Sequence, residues 1–502
     1  MRASCRPLRP WLAAPSPRFQ ATHGIRQWHV HPTPTSSRRR NLLTLAIETS
    51  CDDTCVAILS KHDDSSATLH YNRKHTSDNR AYGGVHPVVA IEGHTSSLAE
   101  LICESLAFLP PDVGSGSGST LVVRGKQRRI PDFVSVTRGP GMLANLSAGL
   151  NTAKGLAAAW QVPLVGVNHM QAHALTPRLV TALEQRRGRR RDGYGSSPTE
   201  NTPADGGYAP AFPFLSLLVS GGHTILVHSR GLNDHRILAE AADIAVGDAI
   251  DKAARLVLPA DVVAGAKDVM FGRMFEAFAF PEGEGDGAAE PPPPDAEGVI
   301  TTASSPLYRD YQPPQKRVDE ITPRPTSYGW QIIPPMIQSR RMAYAFSGLG
   351  SQIRRIVEDA SPGMSLDGRR VLARESMRVM FEHLASRVVL ALEDPELGVR
   401  DIRTLVVSGG VASNRFLMHI LRTVLDVRGY ESVAITAPPR ELCTDNAAMI
   451  AWTGLEMYEA GYKSQLSVRA IRKWPLDPTG EDGGILGVDG WTRRDGDRSP
   501  FS

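Results

Sequence analysis

The sequence predicts an α/β protein made of two similar halves, each a mixed sheet covered by helices, with a cleft between them. Three observations predict it. The chain has 502 residues, more than one ordinary domain holds. An order of three strands followed by alternating helices and strands occurs twice. Each copy opens with two apolar runs joined by a short turn, SCDD in the first and SGGH in the second. Ligand sites in such architectures lie beyond the strand ends, where those turns fall.

In the first copy, LLTLAIET (Leu42–Thr49) and CVAIL (Cys55–Leu59) read as strands, with a third over Thr68–Lys74. A helix follows over Val88–Phe108, then a strand at Asp132–Gly139, a helix at Asn145–Trp160 and a strand in PLVGV (Pro163–Val167). Asn168 then suits the cap of another helix. In the second copy, Phe214–Ser229 gives two strands about a Gly turn and HRILAEA (His235–Ala241) the third. Helices are expected at Ala245–Leu258, Glu375–Leu392, Asn414–Asp426 and Asn446–Glu459. Strands are expected at Thr404–Gly410 and in ESVAITAP.

Residues 1–41 carry eight arginines and no acid, with Ser, Thr and Pro filling much of the remainder. That composition is expected of a mitochondrial transit peptide and not of a secretory signal. The domains are then expected at 42–184 and 211–440. Residues 441–475 hold a C-terminal helix returning to the cleft, and 476–502 a tail. A basic, Gly-rich insertion fills 185–210, and a low-complexity insertion about 281–325 interrupts the second half. Without the leader's arginines, 48 Lys+Arg face 53 Asp+Glu, so any pull on nucleic acid must come from a local patch. Arg186, Arg187, Arg189, Arg190 and Arg191 form one such run, although a solvated insertion is the plainer reading. No apolar segment reaches the roughly 18 residues that span a membrane. Five scattered cysteines make no disulfide framework and suit a reducing compartment. Cys51 and Cys55 read more simply as small residues flanking a turn than as a metal pair.

Several segments can carry chemistry. His169 and His173 stand four apart after a buried strand, so a helix puts both rings on one face, about 5–6 Å apart at their bases. They suit one metal ion if a third ligand arrives from elsewhere, and otherwise are ordinary histidines. Asp445, at the start of a helix in PPRELCTDNAAM, is either that helix's N-cap or that third ligand. The turn SGGHT offers amides to phosphate oxygens. Asp251, in GDAIDKAARL, suits a ribose hydroxyl or a solvated helix face, and Asn414 closes SGGVASN where it can meet ribose or base.

Taken together, AIETSCDDT, TRGPGMLANLSAGLNTAKGLA, GVNHMQAH, LVSGGHT, GDAIDKAAR, FSGLGS, SGGVASN and LCTDNAAMIA resemble, in this order, the tRNA threonylcarbamoyltransferase family, the TsaD-like enzymes also called O-sialoglycoprotein endopeptidase-like. With the leader, the resemblance is to its mitochondrial type. It implies two actin-like ATPase (ribonuclease H-like) domains with a nucleotide and metal cleft. It implies one divalent ion per subunit, zinc or iron, held by His169, His173 and Asp445. The nucleotide contacts carry over onto Leu218, Val219, Ser220, Gly221, Gly222, Asp251 and Asn414. It further implies transfer of threonylcarbamoyl from threonylcarbamoyl-AMP, made by a separate synthetase, to N6 of adenosine 37 in tRNAs reading ANN codons. The expected enzyme is a homodimer of the mitochondrial matrix with no membrane partner. For such a transfer, Asp52 or Asp53 is the base expected to take the departing proton.

The chain departs from the family at three places. AARLVLPADVVAGA replaces a YPGGP segment, leaving Gly265 to supply its glycine contact. FSGLGS replaces FSGLKT, and GGVHPVVAIEGH lacks the glutamate of VPE. A zincin peptidase is disfavoured because Met170 stands where its glutamate must follow the first histidine. A kinase or chaperone of this fold needs no histidine pair, and a non-catalytic scaffold would be expected to lack it.

Overall fold

The computed structural model describes residues 41–82, 84–112, 120–192, 208–265, 271–281, 306–360 and 363–493. The leader up to residue 40, the side chains of the basic run from Arg187 onward and the GEGDGAAEPPPP stretch lie outside them.

The first half contributes β1 (Leu42–Glu48), β2 (Asp53–Lys61), β3 (Ala67–Thr76), α1 (Pro87–Ser105), the ribbon β4 (Thr120–Val123) and β5 (Lys126–Arg129), β6 (Phe133–Gly139), α2 (Leu143–Trp160), β7 (Leu164–Asn168) and α3 (His169–Asp192). The second contributes β8 (Phe214–Val219), β9 (Thr224–Gly231), β10 (Asp234–Ala241), α4 (Val246–Val257), α5 (Ala260–Ala264), α6 (Phe271–Ala279), α7 (Arg317–Ile321), β11 (Ala343–Tyr344), α8 (Ser347–Asp359), α9 (Leu366–Glu393), β12 (Thr404–Ser408), α10 (Arg415–Val427), β13 (Ala434–Thr436), α11 (Arg440–Cys443) and α12 (Ala447–Glu459). Two short strands follow, β14 (Tyr462–Ser464) and β15 (Trp491–Arg493).

The duplication is visible in the pairing. Five strands of the first sheet run β3-β2-β1-β6-β7, and five of the second run β10-β9-β8-β12-β13. In each, the first three strands pair antiparallel and the last two join in parallel. This is the actin-like α/β duplication that the sequence predicts. Strands β1 and β8 are almost wholly buried because helices or the other half cover both faces. The halves share a core in which Ala46 and Val165 of one sheet meet Leu218 and Val406 of the other, through Leu175 and Leu179 of α3 and Met449 and Trp452 of α12. Helix α12 lies against β1 and β2, so the chain returns to its first half after the second is built.

Two expectations are narrowed. The residues set apart as a tail carry β15, which pairs with β14 at the edge of the first sheet. Of the insertion expected about 281–325, residues from Leu307 onward are folded. Tyr308 packs on Phe416, and Glu320, 7 % exposed, pairs with Arg317 and Arg428. Its buried aromatic and ion pairs supply the burial that its Pro and Gly content conceals.

Candidate metal centre and the turn beside it

Two helices begin at one place, and their first residues meet. Asn168 ends β7 and caps α3, its Oδ1 accepting from the amides of Met170 (3.0 Å) and Gln171 (3.2 Å). That cap fixes His169 at the helix start and His173 one turn later, with ring centroids 4.7 Å apart and planes at 90°. On α12 the cap is Asn446, whose Oδ1 accepts from Met449 at 3.0 Å. Asp445 is therefore not the cap, and its carboxylate is free to face the histidines. Its Oδ1 lies 3.2 Å from His173 Nε2 and 3.4 Å from His169 Nε2, and the two Nε2 atoms are 3.2 Å apart.

This triangle fits a metal ion. Four donors around zinc or iron at about 2.0–2.1 Å stand about 3.3–3.4 Å from one another, by tetrahedral geometry. The three edges match that spacing, and two neutral imidazoles with one carboxylate form a donor set for a divalent ion. The electrostatics of the site favour positive charge between the two carboxylates. Against its burial, His169 is pushed up to about 10 by Asp445 and Glu48. Burial lowers His173, and Asp445 is held well below the carboxylate range, against burial, by the two histidines.

Glu48 is the residue that sequence reasoning missed. It ends β1 with no exposed surface, and its Oε2 stands 3.1 Å from His169 Nδ1 while Thr137 Oγ1 donates to the same oxygen. Ser50 Oγ is 3.3 Å from the same ring nitrogen. A carboxylate behind a ligating imidazole fixes its tautomer and raises its basicity. The signal was a lone acid closing an apolar strand.

The two other acids of the hairpin turn lie at the rim. Asp53 pairs with Lys74 at 2.8 Å and accepts from Thr76 Oγ1, while Lys74 also donates to Thr444 Oγ1 at 3.3 Å, one residue from Asp445. Burial raises the Asp53 carboxyl above its ordinary range although Lys74 opposes it. Asp52 accepts from Asn79 Nδ2 at 3.2 Å.

The Gly turn is assembled from three segments. Leu218 and Val219 are buried, so only their backbone is available to a ligand. Ser220 Oγ accepts from the amides of Gly222 (3.3 Å) and His223 (3.0 Å), and both glycines face open space. Gly247 at the start of α4 donates to Ser220 O at 3.2 Å, and a Cβ there would come within 2.6 Å of that oxygen. Gly409, at φ +99°, approaches equally closely: a Cβ would stand 2.3 Å from Val219 O. Asp251 lies one turn along α4, accepts from Gly272 N at 3.1 Å, and is raised by burial to about 6. Asn414 is 7 % exposed and caps α10, its Oδ1 accepting from Leu417 at 3.0 Å while its Nδ2 donates weakly to Met377 Sδ at 3.9 Å, so the remaining N–H of that amide is what a ligand can meet. Gly265 is exposed at the end of α5.

The fold and this cleft define the class: a two-lobed actin-like protein with a His2Asp cluster where the lobes meet. Comparison with known proteins narrows it. The sequence model of the family "TsaD: tRNA N6-adenosine threonylcarbamoyltransferase" matches residues 69–186, 200–284 and 307–452. A mitochondrial tRNA N6-adenosine threonylcarbamoyltransferase of Schizosaccharomyces pombe is 33% identical over 93% of this chain and 92% of its own length. The tRNA N6-adenosine threonylcarbamoyltransferases of Rhizobium leguminosarum and Brucella abortus are 30% and 31% identical, over 88% and 86% of this chain and 96% and 95% of theirs. Among solved structures, HypF of T. kodakarensis aligns with 84% of this chain and 48% of its own at 13% identity and a TM-score of 0.39, too distant to carry an argument. The chain belongs to the tRNA N6-adenosine threonylcarbamoyltransferase family.

Proposed function

We propose that the protein transfers threonylcarbamoyl from threonylcarbamoyl-AMP to N6 of adenosine 37 in mitochondrial tRNAs that read ANN codons. The observation that carries this reading is the His169–His173–Asp445 triangle, placed beside an open Gly turn in a chain of this family. The exocyclic amine of adenine is a weak nucleophile, since its lone pair is delocalised into the ring. Rate must therefore come from an activated donor held in register with the amine. In the proposed step N6 forms a bond to the carbamoyl carbon, the carbon–oxygen bond to the phosphate breaks, and AMP leaves with that electron pair. The amides of Gly221 and Gly222 bind the phosphate, and Asp251 accepts from a ribose hydroxyl. A divalent ion on His169, His173 and Asp445 would supply Lewis-acid stabilisation of the negative charge on the donor.

Asp53 takes the proton from N6 in this reading, because burial has already raised its carboxyl and the Lys74–Thr444 link holds it beside Asp445. Asp52 is the alternative base. Glu48 keeps the His169 ring in place. The arginine-rich, acid-free leader, together with a relative named as mitochondrial, supports work in the mitochondrial matrix; a homodimer and a separate synthetase that supplies threonylcarbamoyl-AMP complete the proposal. No helix among the described residues is long and apolar enough to cross a membrane.

The test is a transfer assay with purified protein, synthetic threonylcarbamoyl-AMP and unmodified tRNA, read by mass spectrometry of nucleosides. Formation of N6-threonylcarbamoyladenosine in wild type and its loss in His173→Ala is expected. No product from metal-loaded wild type contradicts the reading.

A further inference from the structure

We propose that residues 468–474, an irregular strap between β14 and β15, form the surface on which the anticodon arm of the tRNA rests, with Arg469, Arg472 and Lys473 neutralising its phosphates. The strap is tied by its backbone to the scaffold of the metal cluster. Ile471 N donates to Arg138 O at 2.8 Å, and Arg138 Nε donates back to Arg469 O at 3.0 Å. Gly141 N donates to Arg472 O at 3.2 Å, and a Cβ on that glycine would stand 2.7 Å from Ser50 O. Ser50 is the residue whose hydroxyl meets His169. Farther along, Asn168 Nδ2, from the cap of α3, donates to Trp474 O at 3.1 Å. One glycine thus separates Arg472 from the residue that touches a proposed metal ligand.

The side chains divide by polarity. Val468 and Trp474 are buried at 4 % and 2 % exposure and anchor the two ends, while Arg469, Arg472 and Lys473 are exposed. None of these three has an acid within ion-pair distance among the described residues. Arginines elsewhere that do meet an acid, such as Arg178 with Glu456 and Arg378 with Glu375 and Glu382, are committed to holding the fold. Cations also crowd one another here, with Asp489 acting on Arg138. Lys154 donates to Val468 O, and its ammonium is pushed down by burial and then by Arg138 and Arg469. Beyond the leader the chain is mildly acidic, so a cationic strap at the rim of the cleft is a local attraction for a polyanion. Five residues of extended chain reach up to about 17 Å, enough to span several phosphates of an RNA strand. Three cations over that length match consecutive phosphates beside the adenosine entering the cleft.

This inference rests on the proposed tRNA transfer, and its test separates the two. The full-length protein and the triple variant Arg469→Gln, Arg472→Gln, Lys473→Gln are compared by filter binding of unmodified tRNA and of an isolated anticodon stem–loop across a salt series. The expected result is a salt slope shallower by about 2–3, as loss of that many phosphate contacts gives, and affinity weaker by about tenfold or more for both RNAs at moderate salt. Binding of AMP and the melting temperature stay as in wild type, and KM for tRNA rises more than kcat falls. Unchanged slope and affinity in a variant that still melts normally overturn the strap as the RNA surface. A loss seen with full-length tRNA and not with the stem–loop overturns its assignment to the anticodon arm. If wild type itself forms no modified nucleoside, the transfer reading fails instead, whatever the strap binds.

Discussion

The Glu48 carboxylate stands 3.1 Å from Nδ1 of His169, with both side chains buried, so the first strand of the fold steadies the first residue of the helix that bears the histidine pair. Glu48→Gln keeps the shape and removes the charge. It is expected to weaken metal affinity by about 10–100-fold, the usual cost of losing such a partner, without unfolding the chain. Competition with a chromophoric chelator measures it, and an unchanged dissociation constant would falsify the positioning role.

Metal removal should be visible in stability. A ligand that binds only the folded state at a hundredfold excess over its dissociation constant stabilises by about 2.7 kcal/mol. Treating wild type with a strong chelator is therefore expected to lower its melting temperature by several degrees. His169→Ala, His173→Ala and Asp445→Ala, already stripped, should each respond little. Elemental analysis of the same samples completes the test, and full occupancy in all three variants would overturn the ligand assignment.

Asp251 makes stability depend on pH in a defined sense. Its folded carboxyl is raised to about 6 from an ordinary 3.8, so its contribution is fully present below pH 3.8 and is lost as pH rises through about 6. Asp251→Asn keeps an acceptor for Gly272 N and cannot ionise. The variant should be more stable than wild type at pH 7.5 by roughly 1–3 kcal/mol, with the gap closing toward pH 4. It should also bind threonylcarbamoyl-AMP less tightly, since a ribose hydroxyl loses a charged acceptor. Denaturant melts at the two pH values decide the first part, and a gap that does not change with pH contradicts it.

Gly247 is where α4 touches the Gly turn. Gly247→Ala places a Cβ 2.6 Å from Ser220 O and 2.8 Å from Gly221 N, both backbone atoms that cannot swing away. A destabilisation of about 1–3 kcal/mol is expected from the overpacking, along with weaker nucleotide binding as the turn is displaced. Wild-type affinity in calorimetry would show that the turn is not the phosphate site.

Much of this was legible in the sequence because the strands are apolar throughout and the turns between them are polar. Both Leu42–Glu48 and Phe214–Val219 announce themselves that way, and so does the second copy of the order. The spacing of His169 and His173 showed that they share a helix face, and the family resemblance linked them to Asp445. Geometry adds what local pattern cannot: Asn446, not Asp445, caps α12, because the choice between adjacent polar residues depends on the entry angle of the chain. Glu48 was hidden because its partner is 121 residues away. Strands β14 and β15 are three residues each, too short to carry a period, and exist only because β7 offers an edge. In α9, which starts at Leu366 and not at Glu375, the extra turns follow from the Ser365 cap, whose side chain accepts from Gly368 N.

The leader carries its own test. A fusion of residues 1–41 to a fluorescent protein is expected to enter mitochondria, since eight arginines and no acid suit import. Diffuse cytosolic fluorescence would count against matrix localisation while leaving the cleft chemistry untouched.

The proposed installation of threonylcarbamoyl on mitochondrial tRNA depends on the His169–His173–Asp445 site. Mass spectrometry of nucleosides from purified mitochondrial tRNA tests it most directly, in cells lacking the protein and in the same cells expressing wild type or the Asp445→Ala variant. N6-threonylcarbamoyladenosine is expected to disappear without the protein, to return with wild type and not to return with the variant. Persistence of the nucleoside in cells lacking the protein, or its full return with the variant, would contradict it.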